Sequence, residues 1–293
     1  MTNSIAPRPR RSALYMPASN GRALEKAKTL PADILIFDLE DAVAPDAKAA
    51  ARAAAVAAVK GGGYGAREIL IRVNAAGTAW ANDDIKAAAL SGAHGIVLPK
   101  VSSADDVRHA AQMPTAAGAP SGLTLWAMIE TPRGVLSVPE IAAAGSPLAG
   151  LIVGTADLAK DLHCAHPADR WPMLQALQMC VLAARAFDLA VLDGVHLDIA
   201  DMSSFGAACA QGRALGFDGK TLIHPSQIAG ANAAFSPSGE DLARARRIVA
   251  AHAEAAALGQ GVTLLDGRLV ESLHVKEAQR LLAQADMIAA LVE

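Results

Sequence analysis

Two carboxylates stand out because each ends a short apolar run. Glu130 closes LTLWAMIE (123–130), and Asp157 stands three residues past LIVG (151–154), within GTADLAKDL. If those runs are neighbouring strands, about 4.8 Å apart, both side chains can reach one point. Two bare carboxylates would repel there, and a divalent cation removes the conflict. Mg2+ suits such a pair, since it commonly takes one or two protein carboxylates and completes its octahedron with water and substrate oxygens. No His/Cys cluster at zinc spacing competes with it. The structural alternative is that Asp157 caps the next helix and Glu130 pairs with Arg133 or Lys160.

Other reactive side chains recur at the ends of similar runs. They are Asp38, Glu40 and Asp41 in ILIFDLED, Arg72 and Asn74 in EILIRVN, Lys100 in GIVLPK, Asp193 in AVLDGV and His224 in KTLIHP. Any one of them alone reads as a cap or a salt bridge; what points to a site is their recurrence at one end of successive strands. Beside a metal, the Arg72 guanidinium could clamp a carboxylate or acyl oxygen with two hydrogen bonds. Its alternative is a salt bridge to Asp38, Glu40 or Asp41. A serine or cysteine nucleophile has little support, because there is no GxSxG and no cysteine ends a run.

The elements that must position these groups are eight apolar runs: 13–17, 34–41, 68–74, 95–100, 123–130, 151–154, 190–195 and 220–225. Most are too continuously apolar for half-exposed antiparallel strands and read as parallel strands covered on both faces. Between them lie Ala-rich helical stretches, such as 46–60, 104–113 and 201–215, with Asp46, Ser103 and Asp201 as expected caps. Eight strands alternating with helices predict one (β/α)8 TIM barrel over residues 11–258. The doubly wound sheet is the alternative, but it wants a glycine-rich turn after an early strand, and GGGYG (61–65) follows a helix. Residues 1–10 read as a loose arm, and a helix at 239–258 is expected to close the barrel. Residues 259–293 read as a hairpin and a further amphipathic helix, a lid or oligomer contact.

A net charge of −3 gives no electrostatic case for nucleic acid or an anionic membrane as partner. Cys164, Cys180 and Cys209 show neither CxxC spacing nor even pairing and read as reduced core residues. With no secretory h-region and no membrane-length apolar run, the expected location is the cytoplasm.

RSALYMPAS (11–19), FDLEDAVAPDAKAAAR (37–52), IRVN (71–74), VLPK (97–100), MIETPRG (128–134), GTADLAKDL (154–162) and KTLIHPSQI (220–228) together resemble the citrate lyase beta subunit and malyl-CoA lyase family, in the HpcH/HpaI aldolase superfamily. The resemblance implies a Mg2+-dependent barrel enzyme that forms homo-oligomers, trimers or hexamers. It implies Glu130 and Asp157 as metal ligands, Arg72 as the substrate-clamping arginine, and Glu40 and Asp41 as holders of metal-bound water. Tyr15, Lys26 and the turn around His224 match positions that contact coenzyme A, although an Arg expected near the first loop is Asn20 here. In the tail, GRLVESLHVKEAQRLL (267–282) resembles the family lid, and Glu271 stands where many members carry a catalytic Asp. The implied reaction is Claisen-type cleavage or condensation of a 3-hydroxyacyl thioester such as malyl-CoA or citramalyl-CoA, with a 2-oxo acid as co-product. Thioester hydrolysis on the same scaffold, or action on a carrier-bound acyl group as in citrate lyase, are the alternatives.

Overall fold

A computed structural model describes residues 8–291. Eight parallel strands close into a barrel in sequence order: β1 (Ser12–Pro17), β2 (Ile34–Asp38), β3 (Glu68–Arg72), β4 (Gly95–Leu98), β5 (Thr124–Ile129), β6 (Leu148–Val153), β7 (Ala190–Asp193) and β8 (Gly219–Leu222). All eight expected strands are present, and closure by pairing of β1 with β8 excludes the doubly wound sheet. The reason is visible in the burial: β2, β3, β4, β6 and β8 are buried at every position, as strands sandwiched between barrel interior and helix layer must be.

The strands stop earlier than the apolar runs imply. Glu40, Asp41, Asn74, Lys100 and Glu130 therefore lie in the loops just beyond the carboxyl ends of the strands. Helix starts follow side-chain chemistry where it is available. Ser103 forms a capping box with Asp106 ahead of the helix Ala104–Ala116, and Asp201 accepts from the Ser203 and Ser204 amides ahead of Met202–Leu215. Asp46 does not cap; it lies inside a short 3-10 turn, Pro45–Ala47, that feeds the helix Lys48–Gly61 without a side-chain cap. The GGGYG segment is a connector anchored by Tyr64, whose ring meets Phe37 edge-on at 5.4 Å and whose hydroxyl donates to the Leu24 carbonyl. Cys180 and Cys209 are buried and all three cysteines are unbridged.

The chain divides into two compact units. One spans Arg10–Phe235 and contains the whole barrel; the other gathers the chain from Ser236 onward. The helix Gly239–Ala257, expected to close the barrel, thus groups with the tail. It packs against the last helix, Ser272–Ala290, and against a hairpin of β9 (Thr263–Leu265) and β10 (Arg268–Val270). The hairpin turns through Asp266 and Gly267, both at positive φ (51° and 72°), the pairing that a tight two-residue turn requires. Among the described residues no helix is long and apolar enough to cross a membrane.

Candidate active site

A cavity of about 370 Å³ opens among the loops that follow the barrel strands. Tyr15, Asp38, Asp41, Arg72, Met128, Glu130, Thr155, Asp157 and Thr221 contribute to its wall, with Val153, Val195 and Ile223 as an apolar side. The sequence-derived rim residues separate into those that face this cavity and those that brace the fold. Asn74 is a brace: both its backbone and side-chain N–H groups donate to Asp84 Oδ2. Asp193 is another, sealed between Arg170 Nη1 at 2.5 Å and Lys220 Nζ at 2.9 Å. His224 sits on an exposed turn, its Nδ1 accepting from the Ser226 amide, and Lys26 lies exposed on the helix Gly21–Ala27. Neither belongs to the cavity wall, whereas Tyr15 does.

Arg72 is paired within the fold. Its two-pronged edge is not free for a substrate: Nε and Nη2 each donate to Asp38 at 2.7 Å. The third nitrogen, Nη1, lies 3.1 Å from Glu40 Oε2 and 3.3 Å from Asp41 Oδ2, so the remaining reach of the guanidinium is toward the acidic loop. Asp38 is thus the principal partner of Arg72. Asp38 also accepts from the amides of Glu40 and Ala42, tying the arginine and its loop into one rigid piece. From below, buried Lys48 donates to the carbonyls of Leu39 and Glu40 at 2.8 and 2.7 Å. Nothing in residue spacing marked Lys48, because its partners are backbone atoms.

Glu130 is almost completely buried, and its Oε1 accepts from the Lys100 amide at 2.8 Å. A Cβ at Gly154 would overlap the Glu130 carboxylate, so the β6 loop can pass only as glycine. Burial, reinforced by the charge of Glu40, pushes the Glu130 carboxyl up to about 7. Burial likewise raises Glu40. Lys100, itself at φ 54°, extends its ammonium to 3.4 Å from Glu40 Oε1 and 4.0 Å from Asp157 Oδ2. Burial acts to lower Lys100, but the charges of Glu40, Asp157 and Asp41 outweigh it and raise the group.

Five carboxylates (Asp38, Glu40, Asp41, Glu130, Asp157) thus face two cations, Arg72 and Lys100. Glu40 Oε2, although buried and within ion-pair distance of Arg72, lacks a hydrogen bond of acceptable geometry. Surplus negative charge with an unsatisfied oxygen fits a divalent cation. Among the described residues no three His, Cys, Asp or Glu side chains form a ready-made cage.

In the second unit, Glu271 is the residue before the last helix, and its amide donates to His274 Nδ1 at 3.0 Å.

The fold and this cavity define a (β/α)8 enzyme scaffold with an acidic pocket at the carboxyl ends of its strands. A family model described as HpcH/HpaI aldolase/citrate lyase matches residues 11–225, and the chain belongs to that family. It is 47% identical over 282 residues to a (3S)-malyl-CoA thioesterase of Cereibacter sphaeroides, covering 96% of each chain. It is 35% identical over 309 residues to an L-malyl-CoA/beta-methylmalyl-CoA lyase of the same species, covering 97% of this chain and 96% of the relative. The crystal structure of protein CitE from Mycobacterium tuberculosis in complex with magnesium, acetoacetate and coenzyme A superposes with a TM-score of 0.77 at 33% identity, covering 96% of this chain and 99% of that one.

Proposed function

We propose that this protein is a Mg2+-dependent enzyme that hydrolyses the thioester of a short 3-hydroxyacyl-CoA of the malyl type. The observation that carries the reading is the surplus of carboxylates around one small cavity, which calls for a divalent cation and an oxygen-rich ligand. The cavity suits a four-carbon acyl group with a hydrated cation, so the coenzyme A moiety must extend out of its mouth. Hydrolysis is placed first because identity to the thioesterase exceeds identity to the lyase, 47% against 35%, each over nearly the whole chain.

Glu130 and Asp157 would hold the cation, with Glu40 and Asp41 accepting from its water ligands. When bound, Mg2+ supplies Lewis acidity toward the ligand oxygens. Arg72, immobilised by Asp38, adds a fixed positive charge beside the acyl oxygens. Glu271 is the proposed proton acceptor, in place of the Asp common at that position. Carbon–carbon cleavage is the second reading, supported by the lyase relative. There Glu271 would exchange a proton with the carbon of the released acyl-CoA while a 2-oxo acid departs.

Product analysis separates the two readings. Malyl-CoA incubated with the protein and Mg2+ yields free CoA and malate if hydrolysis is right, and acetyl-CoA and glyoxylate if cleavage is right. No turnover of malyl-CoA or citramalyl-CoA, with Mg2+ present, overturns both. A homo-oligomer is also proposed. Leu264 and Leu269 face each other across the hairpin at 69% and 51% exposure, an apolar face that a second copy would cover. Light scattering of the protein, before and after Leu269→Asp, tests it.

A further inference from the structure

We propose that the Tyr15 hydroxyl is a hydrogen-bond donor to the acyl oxygen on which negative charge develops, while its ring holds the Arg72 guanidinium in place. The inference rests on the proposed function for the identity of the ligand. Its structural grounds are the distribution of donors in the cavity.

A pocket that must stabilise an oxyanion needs free donors, and few of the side chains lining this one offer any. Two of the three Arg72 nitrogens are consumed by Asp38, and the third faces Glu40 and Asp41. Lys100 leans toward Glu40 and Asp157, and its amide is spent on Glu130. Thr221 donates to the Asp193 carbonyl. The Thr155 hydroxyl has no partner but is fully enclosed, against the space that Gly194 leaves by lacking a Cβ. Tyr15 is different. It is half-buried in the cavity wall, and the hydrogen bond recorded for its hydroxyl runs 3.8 Å to the thioether sulfur of Met128, a weak acceptor. A carboxylate or carbonyl oxygen entering the cavity would be a far better partner, so the bond to sulfur is exchanged at little cost.

The ring has a separate task. The Arg72 guanidinium carbon stands 4.8 Å from its centroid, stacked between the Tyr15 face and the Asp38 fork. A neutral phenol is also what the electrostatics favour. Burial outweighs the opposing charge of Arg72 and, helped by the charges of Asp38, Glu130 and Glu40, raises the Tyr15 hydroxyl well above its usual range, so it keeps its proton. During hydrolysis a water oxygen bonds to the thioester carbon and its proton passes to the base. The carbonyl electron pair moves onto oxygen, where Tyr15 donates without transferring its proton. The pair then returns as the carbon–sulfur bond breaks and coenzyme A leaves as the thiolate.

Tyr15→Phe keeps the ring on Arg72 and removes only the donor. It should lower kcat about 10²-fold, the loss typical of one oxyanion donor, with the KM for malyl-CoA and the unfolding midpoint close to wild type. Tyr15→Leu removes the stack as well and should in addition raise KM. A kcat for Tyr15→Phe equal to that of active wild-type protein overturns the donor role. A readout independent of turnover comes from composition: the chain has only two tyrosines, Tyr15 and Tyr64. Labelling with 3-fluorotyrosine gives two 19F signals, assigned by Tyr15→Phe. Malate with Mg2+ should shift the Tyr15 signal and leave that of Tyr64, which is buried against Phe37. A Tyr15 signal unmoved at saturating malate overturns the inference whatever the turnover shows. A shifted signal with no thioester turnover would sink the proposed function and leave Tyr15 as a ligand contact.

Discussion

Charged side chains gather in two places at the carboxyl ends of the barrel strands, and they behave in opposite ways. On β7 and β8, Asp193 is bracketed by Arg170 and by Lys220 of the neighbouring strand, both buried. Arg170 also reaches Gln211, and Lys220 the Gly194 carbonyl. Burial first, and then the charges of these cations, lower His166 and His196, against the opposing pull of nearby carboxylates. Beyond β2 to β6, carboxylates outnumber cations, Glu40 keeps an unsatisfied oxygen, and Glu130 is pushed up to about 7. The first cluster is closed: every charge has its partners and water is excluded. The second is an incomplete set, which the proposed cation and oxygen-bearing ligand would complete. A strand-end acid is thus read as brace or site by what remains unsatisfied around it, since a buried charge without a partner is costly.

Breaking the closed cluster should have the largest effect. Asp193→Ala leaves two buried cations unpaired, a loss of about 3–5 kcal/mol. Urea unfolding should show a large fall in midpoint or no folded protein; a wild-type midpoint would mean that Asp193 braces nothing.

The open cluster should respond in the reverse sense. Because the folded-state pKa of Glu130 is raised from 4.5 to about 7, the folded chain holds this proton while the unfolded chain releases it. Stability from this group is therefore full below about pH 4.5 and is lost as pH rises through 7, by up to roughly 3 kcal/mol. Glu130→Gln should remove that slope and, in chelator at pH 8, unfold at higher urea than wild type. The same variant, like Asp157→Asn, should lose Mg2+-dependent turnover by roughly 10³-fold or more. Wild-type turnover after Mg2+ titration of chelated protein would refute the metal assignment.

Arg72→Lys retains the charge but cannot keep both the Asp38 fork and the Tyr15 stack. Turnover should fall about 10²-fold, and unchanged kcat/KM would reduce Arg72 to a purely structural partner of Asp38. The remaining prediction concerns the tail. Glu271→Gln should lose most activity, and Glu271→Asp, which shortens the side chain by one methylene, up to about a hundredfold. A gain from Glu271→Asp would instead mark drift away from the family's chemistry. Mixing Glu271→Gln chains with Arg72→Ala chains tests whether the tail serves a neighbouring barrel. Partial recovery in mixed oligomers is expected if it does.

Several features were legible in residues because they depend on local chemistry. Eight apolar runs imply strands buried on both faces, and the Ala-rich stretches between them imply helices. Ser103 and Asp201 cap because a side-chain oxygen can reach amides two or three residues on. The family motifs placed Glu130 and Asp157 past strands that the barrel makes neighbours. The tertiary structure alone decided how similar residues diverge. Asp193 and Glu130 both follow apolar runs, yet only packing sends Arg170 and Lys220 to one and leaves the other short of cations. Whether Arg72 clamps substrate or Asp38 depends on pairing across β2 and β3, where Asp38 and Arg72 lie in register. Tyr15 faces the cavity because of where its strand enters the barrel, and Lys48 finds its carbonyls through the path of a loop. Propensity and capping act over one to four residues, whereas the satisfaction of a buried charge is settled by groups brought together from distant parts of the chain.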